Sequence, residues 1–480
     1  MSEEGKKSFD YKGFGFKAGL EIHQQIESHK LFCSCPSLVN DEHTPEILFE
    51  RRLRAAAGET GHIDQAAAYE MQKGKLFQYE ACSSSSCSVE FDEEPPHPVN
   101  MHALSIALEV ALLLHAKIVD NIHFMRKTVV DGSNVSGFQR TALIAMNGYI
   151  NTSKGKVAIS SICLEEEAAK KLEAQEHIVR FRLDRLGVAL VEIATDASIK
   201  DPEHAKEVAS LLGMILRSTG KVKRGLGTIR QDVNLSIAGH PRVEIKGFQE
   251  LKYMPKVIDN EIKRQIQEAK KGESHVRKAN PDGTSTFLRP MPGAARMYPE
   301  TDIPVINITK ELLSSIELPE LLDKKALRYE KNFSISGEFA RMLIAEDIDF
   351  PGYVKQFPNI EAKFLAHVML NLPKEIQKRY NLDASILTDA QYREVLGYFS
   401  QGFISKEAIL DILVEILQGK SIDIHKYKAV DEKTLEKELK ELITTNKGVP
   451  FNALMGEAMK KYRGKVDGQK IMELLRKFTS

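Results

Sequence analysis

Net charge is the first thing this 480-residue sequence lacks: 67 lysines and arginines balance 67 aspartates and glutamates. That removes any global electrostatic pull toward nucleic acid, but excludes no such partner, because a local basic patch suffices. Long apolar runs are also missing. The longest, near Leu104–His115, is interrupted by Glu109 and is too short to span a bilayer, so it reads as a buried helix. MSEEGKKSF has no signal-peptide core. The expectation is a cytoplasmic protein with no membrane partner. Cysteine occurs five times, too sparsely for a disulfide scaffold in an intracellular chain of this size. No internal repeat, GxxxxGK[ST] loop or dinucleotide fingerprint is present, so any use of ATP must rest on other residues.

What is present is ordinary soluble material, 42% hydrophobic and 28% charged, enough for more than one core. Residues 16–30 read as a strand followed by polar residues, and 99–118 as a helix with Pro98 ahead and Asn100 as its cap. KVAIS and VALVEIA read as strands, whereas Glu165–Glu176 has helical composition. A helix over 202–218 is stopped by Gly220; strands around VNLSI and RVEIKGF follow, then a lysine-rich helix from Pro255 to Lys270. KKGESHVRKANPDGTS reads as a loop. From Ile308 helical periods recur, broken at Pro351, Pro358 and Pro373, and the last fifty residues form a small helical unit with a turn at GKVDG. The fold class is α+β: a large mixed domain over 1–307, a helical domain over 308–420 and a helical tail over 421–480.

Glu21 and His23 in GLEIH share one strand face by their i, i+2 spacing. Glu165, Glu166 and Glu167 form an acidic run, Glu192 lies inside VALVEIAT and Glu244 inside RVEIKGF. A lone acid inside an apolar strand is costly if buried unpaired. These residues either face solvent on half-exposed strands or gather around Mg2+, a hard cation that takes oxygen ligands. Cationic groups able to receive phosphate are Arg126, Lys127, Arg230, Lys246, Arg289 and Arg296. Spacing alone is a weak signal for either reading.

The ordered series GLEIH, KLFC, RK, LEEEA, LVEIAT, GTIRQDVN and RVEIKG resembles the B and E transamidase subunits of tRNA-dependent amidotransferases. KLFCSCP, YEACSSSSC, EFDEEPP, MRKTVVDGSNVSGFQRT and RPMPGAARMYPETDIP look like the archaeal E type. The resemblance implies a cradle-shaped catalytic domain, a helical domain and a tail. It implies an ATP-dependent carbon–nitrogen ligase with glutamine as amido donor (asparagine in some related systems): ATP phosphorylates glutamate carried on tRNA(Gln), and ammonia from a separate amidase displaces the phosphate. For the E type the amidase is an asparaginase-like D-type protein, around a homodimer within a heterotetramer. Carried over by motif, Glu21, His23, Glu165, Glu166, Glu192 and Glu244 are the metal residues, with Arg126 and Lys127 beside them. The family's E-type members also carry a synthetase-like insertion domain between the VEIKG and PDGT regions. Near residues 265–280 this chain has too few residues to hold it.

Cys33 and Cys35, with Cys82 and Cys87, form two close pairs that would suit a structural Zn2+, or else are free buried thiols; B-type relatives carry zinc in this part of the domain. Cys163 stands alone in acidic surroundings that disfavour a thiolate. The tail resembles the family's tail domain, and its Lys460, Lys461, Arg463, Lys465 and Lys470 form either a solvated face or a contact with tRNA phosphates. Two other functions compete: a catalytically silent tRNA-binding scaffold and an unrelated ATP-dependent ligase.

Overall fold

A computed structural model describes residues 10–38, 44–54, 61–248, 250–268, 272–293, 297–420, 424–427, 432–446, 449–462 and 468–479. The chain is α+β and falls into two compact units, residues 1–321 and 322–480. The first therefore runs past the expected end at 307, and the expected tail lies inside the second.

The first unit is organised by one large sheet. Its strands are β1 (Lys17–Gln25), β2 (Phe124–Thr128), β3 (Phe138–Thr152), β4 (Gly155–Glu166), β5 (Ala189–Thr195), β6 (Ile229–Ser236), β7 (Val243–Phe248), β8 (His275–Ala279), β9 (Ser285–Pro290) and β10 (Met297–Pro299). They lie side by side in the order β9-β8-β7-β6-β1-β5-β4-β3-β2-β10, with Lys117–Ile118 also paired to β3. Among the described residues of this sheet only β7 and β8 pair in parallel, and helix α3 (Met254–Gln267) makes the crossover they require.

Period-two alternation assigns the two faces. Leu20 and Ile22 of β1, Val191 and Ile193 of β5, and Val233 and Leu235 of β6 are buried in the main core. Against them pack helices α1 (Met101–Leu113), α2 (Pro202–Ser218) and α3. Each such side chain contributes on the order of 1.5–3 kcal/mol by leaving water. Asn100 caps α1 by accepting from the Ala103 amide, as its sequence predicts. Glu109, the acid inside that apolar run, is buried and paired to Lys221 at 2.6 Å. Asp201 caps α2, with Pro202 in the first turn. Gly19 must be glycine, because a Cβ there would lie 2.7 Å from the Asp196 carbonyl oxygen. A second, four-stranded sheet holds Leu76–Ala81 and Ile178–Arg182 in parallel, with its own small core.

Two local expectations are corrected. Glu165–Glu176 forms no helix: β4 runs through Glu166 and a strand covers Lys170–Ala174. Partners on both sides of β4 override its helix-forming composition. HVRKANPDGTS is not a loop but the β8–β9 hairpin, whose turn Asp282 closes by accepting from Thr284. Its two strands are short and lack a clean apolar–polar alternation, which conceals them in the sequence.

The second unit is helical. Helices over Leu322–Phe333, Gly337–Ala345, Phe350–Gln356, Ala362–Leu370, Leu372–Tyr380, Asp389–Ser400 and Ala408–Leu417 share one core. Pro351 and Pro373 occupy first turns and so begin helices rather than break them. Helices over Glu432–Thr445, Phe451–Tyr462 and Gly468–Thr479 enclose a separate core around Leu439, Ala458 and Ile471. Most of the expected GKVDG turn lies outside the described residues, as do Arg463 and Lys465. Among the described residues no helix is long and apolar enough to cross a membrane.

Candidate functional site

The sheet face turned away from α1–α3 is polar, and strand register brings its charges together. His23 pairs across to Glu192 on one side and Arg230 on the other; Glu21 pairs with Asp232. Glu192 pairs with Cys163, two residues before Glu165 on β4, and Glu244 pairs with Asn234. Paired residues project to the same face, so Glu21, His23, Glu165, Glu192, Asp232 and Glu244 occupy one surface.

His23 Nε2 lies 3.2 Å from Glu192 Oε2, 3.6 Å from Glu21 Oε1 and 4.0 Å from Glu165 Oε2. Lys127 Nζ is 2.6 Å from Glu165 and 3.6 Å from Glu192. Lys246 Nζ bridges Asp232 at 2.6 Å and Glu244 at 2.5 Å. Arg230 pairs with Glu167 at 2.7 Å on the same face. Burial, then the neighbouring Glu192, pushes the Glu21 carboxyl up to about 7, against Lys246 and His23. At His23 burial works against the imidazolium, but Glu192, Glu21 and Glu165 outweigh it and hold the ring up at about 8. Glu192 is held well below the usual carboxylate range: burial opposes this, but His23 and Lys127 prevail. Glu21, His23 and Glu192 offer donor atoms all within 4.8 Å of one another. Hard oxygen donors with one imidazole, and a carboxyl raised by burial and by a neighbouring carboxylate, fit a divalent metal.

Not every expected residue joins them. Glu166 projects from the other face of β4, where it accepts from the Arg140 backbone N–H at 2.8 Å. Arg126 is likewise on the far face, bound to Glu300 at 2.7 Å and Asp302 at 3.1 Å, while Arg140 also holds Glu300 at 2.8 Å. The expectation of one crowded volume is therefore corrected for Glu166 and Arg126, because adjacent strand residues face opposite ways. Arg289 pairs with Val276, which pairs with Glu244, so it lies in the outlying row of the polar face. Arg296 lies outside the described residues. Asp232, Glu90 and Glu300 were missed. Asp232 had a readable signal, the i, i+2 spacing from Arg230; the other two sit in irregular segments with none.

The expected cysteine set is also corrected. Cys33, Cys35 and Cys87 converge with Glu90, their donor atoms within 4.8 Å of one another, and Cys82 stands apart against the Thr44 carbonyl. Cys33 Sγ is 3.0 Å from Glu90 Oε1, and the Cys87 amide donates to Glu90 Oε2 at 2.8 Å. Burial, with Glu90 beside it, pushes the Cys33 thiol up, and burial pushes Cys87 up to about 11. Three thiols and a buried carboxylate suit tetrahedral zinc, whose charge would reverse those shifts. Burial and then Glu192 push the Cys163 thiol up, against a thiolate at that position.

The family model of the GatB/GatE catalytic domain matches residues 16–314, and that of the GatB domain matches 350–478. The chain is 36% identical to the E-type glutamyl-tRNA(Gln) amidotransferase chain of Methanocaldococcus jannaschii, over 98% of this chain and 99% of that one. It is 35% identical to the corresponding E-type chain of Archaeoglobus fulgidus and 34% to that of Methanosarcina acetivorans, over 98% of both chains in each case. The first alignment runs over 624 positions, which 480 residues cannot fill, so at least 144 positions of that relative have no counterpart here.

Proposed function

The chain belongs to the GatB/GatE family, and on that premise we propose that it is the transamidase component of a glutamyl-tRNA(Gln) amidotransferase, which uses ATP to activate the glutamate on tRNA(Gln) and ammonia to amidate it. The observation that carries this reading is the meeting of Glu21, His23, Glu165 and Glu192 with Lys127 on one sheet face. Phosphoryl transfer asks little covalent chemistry of a protein; it needs positioning and neutralised charge.

An oxygen of the glutamyl side-chain carboxylate attacks the γ-phosphorus of ATP, the bond to the β–γ bridging oxygen breaks, and ADP leaves. Ammonia then adds to the acyl carbon, phosphate departs with the C–O electron pair, and nitrogen loses a proton. Mg2+ would be held by Glu21, His23 and Glu192, with Glu165 and Glu244 on the same face, and would supply charge neutralisation at the phosphates. Lys127 fixes Glu165 and presents positive charge beside the transferring group; Lys246 does the same for Asp232 and Glu244. Arg230 and Arg289 are placed to meet outlying phosphates.

Ammonia comes from a partner amidase of the asparaginase-like D type, around a homodimer within a heterotetramer. The high thiol of Cys163 supports this division of labour. Residues 421–480 form a tail that contacts tRNA. The segment present in relatives and missing here belongs near 265–280, between α3 and the β8–β9 hairpin, where β7 and β8 pair directly without it.

The test is incubation with ATP, Mg2+ and glutamylated tRNA(Gln). With ammonia, glutaminyl-tRNA forms without any partner; without it, phosphate release from ATP still depends on the tRNA. ATP turnover indifferent to tRNA would sink the reading. The cysteine cluster predicts about one zinc per chain, kept in Cys82→Ser and lost in Cys87→Ser. A metal assay returning the reverse pattern would restore Cys82 to the site.

A further inference from the structure

The cysteine cluster has a property that a purely structural zinc site does not need: its four donors divide by exposure. Cys33 and Glu90 are buried, whereas Cys35 and Cys87 are half-buried. Cys35 lies on a surface turn, with Ser34 and Pro36 exposed on either side of it. That turn is anchored from behind: the Lys30 amide donates to the Cys35 carbonyl at 3.0 Å, and Asn100 Nδ2 donates to the His29 carbonyl at 2.9 Å. Cys87 is fixed by its own amide, which donates to Glu90. Two reachable sulfurs from segments far apart in sequence are thus held within 4.8 Å of each other. Side-chain rotation on such a span brings two sulfurs to bonding distance.

We propose that Cys35 and Cys87 are an oxidisable dithiol, which hydrogen peroxide joins in a disulfide that empties the metal site. The inference rests on the zinc reading, because metal ligation keeps both sulfurs as thiolates, the form that attacks an oxidant. The thiolate of one cysteine attacks a peroxide oxygen; the O–O bond breaks, hydroxide leaves, and a sulfenic acid remains on that sulfur. The second thiolate attacks the same sulfur, the S–O bond breaks, and a second hydroxide leaves. Peroxide has then gained two electrons and each sulfur has given one. Cys33 and Glu90 remain, too few donors for tetrahedral zinc. Cys33 is the poorer partner for either thiol. It is buried, its Sγ lies 3.0 Å from Glu90 Oε1, and a bridge to Cys35 would have to close over a single residue. Cys82, against the Thr44 carbonyl, and Cys163, on β4, lie outside the cluster and act as internal controls.

The experiment treats the zinc-loaded full chain with excess hydrogen peroxide. Zinc is read with a colorimetric chelator, free thiols by titration and the linkage by peptide mass mapping. The expected result is loss of two of the five thiols, release of about one zinc per chain in step with it, and a peptide pair joined through Cys35 and Cys87. Dithiothreitol with added zinc should reverse all three. Cys82→Ser and Cys163→Ser should give the same linkage and the same zinc release as wild type, and Cys35→Ser should abolish the linkage. Zinc that is bound and stays bound, with all thiols free after peroxide, overturns the dithiol and leaves the zinc reading intact. A linkage made through Cys33, or oxidation that ends as sulfinic acid on single cysteines, overturns it too. A chain that holds no zinc after metal-replete expression removes the zinc reading instead. The mapped peptides of that metal-free chain still decide the pair: a Cys35–Cys87 linkage supports it, and its absence overturns it.

Discussion

Arg126 and Lys127 are neighbours on β2, as Glu165 and Glu166 are on β4, yet the sheet sends the members of each pair to opposite faces. On the open face Lys127 meets Glu165 at 2.6 Å, in a group where carboxylates outnumber cations and Glu21 rises to about 7. On the other face Glu300 sits between Arg126 and Arg140, and those two arginines overcome burial to hold its carboxyl below the usual range. Glu166 there is buried and raised, with Arg140 as its counterweight. The same residue types thus build an under-neutralised surface, suited to a cation and phosphates, and a paired interior that holds strands together. Charge balance, more than the presence of acids, separates the two roles.

The largest expected effect tests the open face. Glu192→Gln keeps volume and removes charge; transamidation should fall roughly 100-fold or more, the scale of lost transition-state electrostatics. Phosphate release from ATP without ammonia should fall in parallel, while tRNA affinity stays within a few-fold. Phosphate release at the wild-type rate with amide formation abolished would move the cluster to the second step. Next comes the divided pair on β2. Lys127→Gln should cost about ten-fold or more in kcat, whereas Arg126→Gln should leave kcat within a few-fold and lower the melting temperature. Equal kinetic losses would erase the distinction between the faces. Glu166→Gln is expected to act on stability, by about 1–3 kcal/mol for a disturbed buried hydrogen bond, read by denaturant unfolding. A 100-fold kinetic loss with unchanged stability would return Glu166 to the metal site.

Part of this was legible in the sequence. Alternation in KAGLEIHQQ placed Glu21 and His23 on one face, and β1 bears that out. The acid inside VALVEIAT reads either as solvent-facing or as a cation ligand; Glu192 is half-buried, with His23 and Lys127 as its partners. The same alternation, applied to LEEE, would have separated Glu165 from Glu166, but helical composition hid the strand. Register, and hence the meeting of Glu165 with Lys127 and of Asp232 with Lys246, depends on pairing between positions 38 and 14 residues apart, which local pattern does not encode. Glu90 joined the cysteines through a turn after Cys87 that no spacing rule anticipates.

The smallest effect concerns pH, and it separates the faces by sign. Glu21 and His23 both have folded pKa values raised above their ordinary ones, to about 7 and about 8. A raised value means that the folded state holds its proton more tightly. The stability each contributes is therefore fully present below the unfolded value and is lost as pH rises through the folded one. In chelator, the melting temperature should drop by a few degrees between pH 6 and pH 8.5 from these two groups, and the double variant Glu21→Gln, His23→Asn should flatten that part of the slope. Glu300, held down by two arginines, behaves oppositely: its contribution stands above the unfolded value and fails only in acid. Mg2+ between the carboxylates should restore more stability at pH 8.5 than at pH 6, because at pH 6 protons already occupy part of the site. Thermal melts at both pH values, with and without Mg2+, measure all of this. A metal effect equal at both pH values, or a slope that survives in the double variant, would mean that the open face is already neutralised by its lysines and that its difference from the closed face lies in exposure alone.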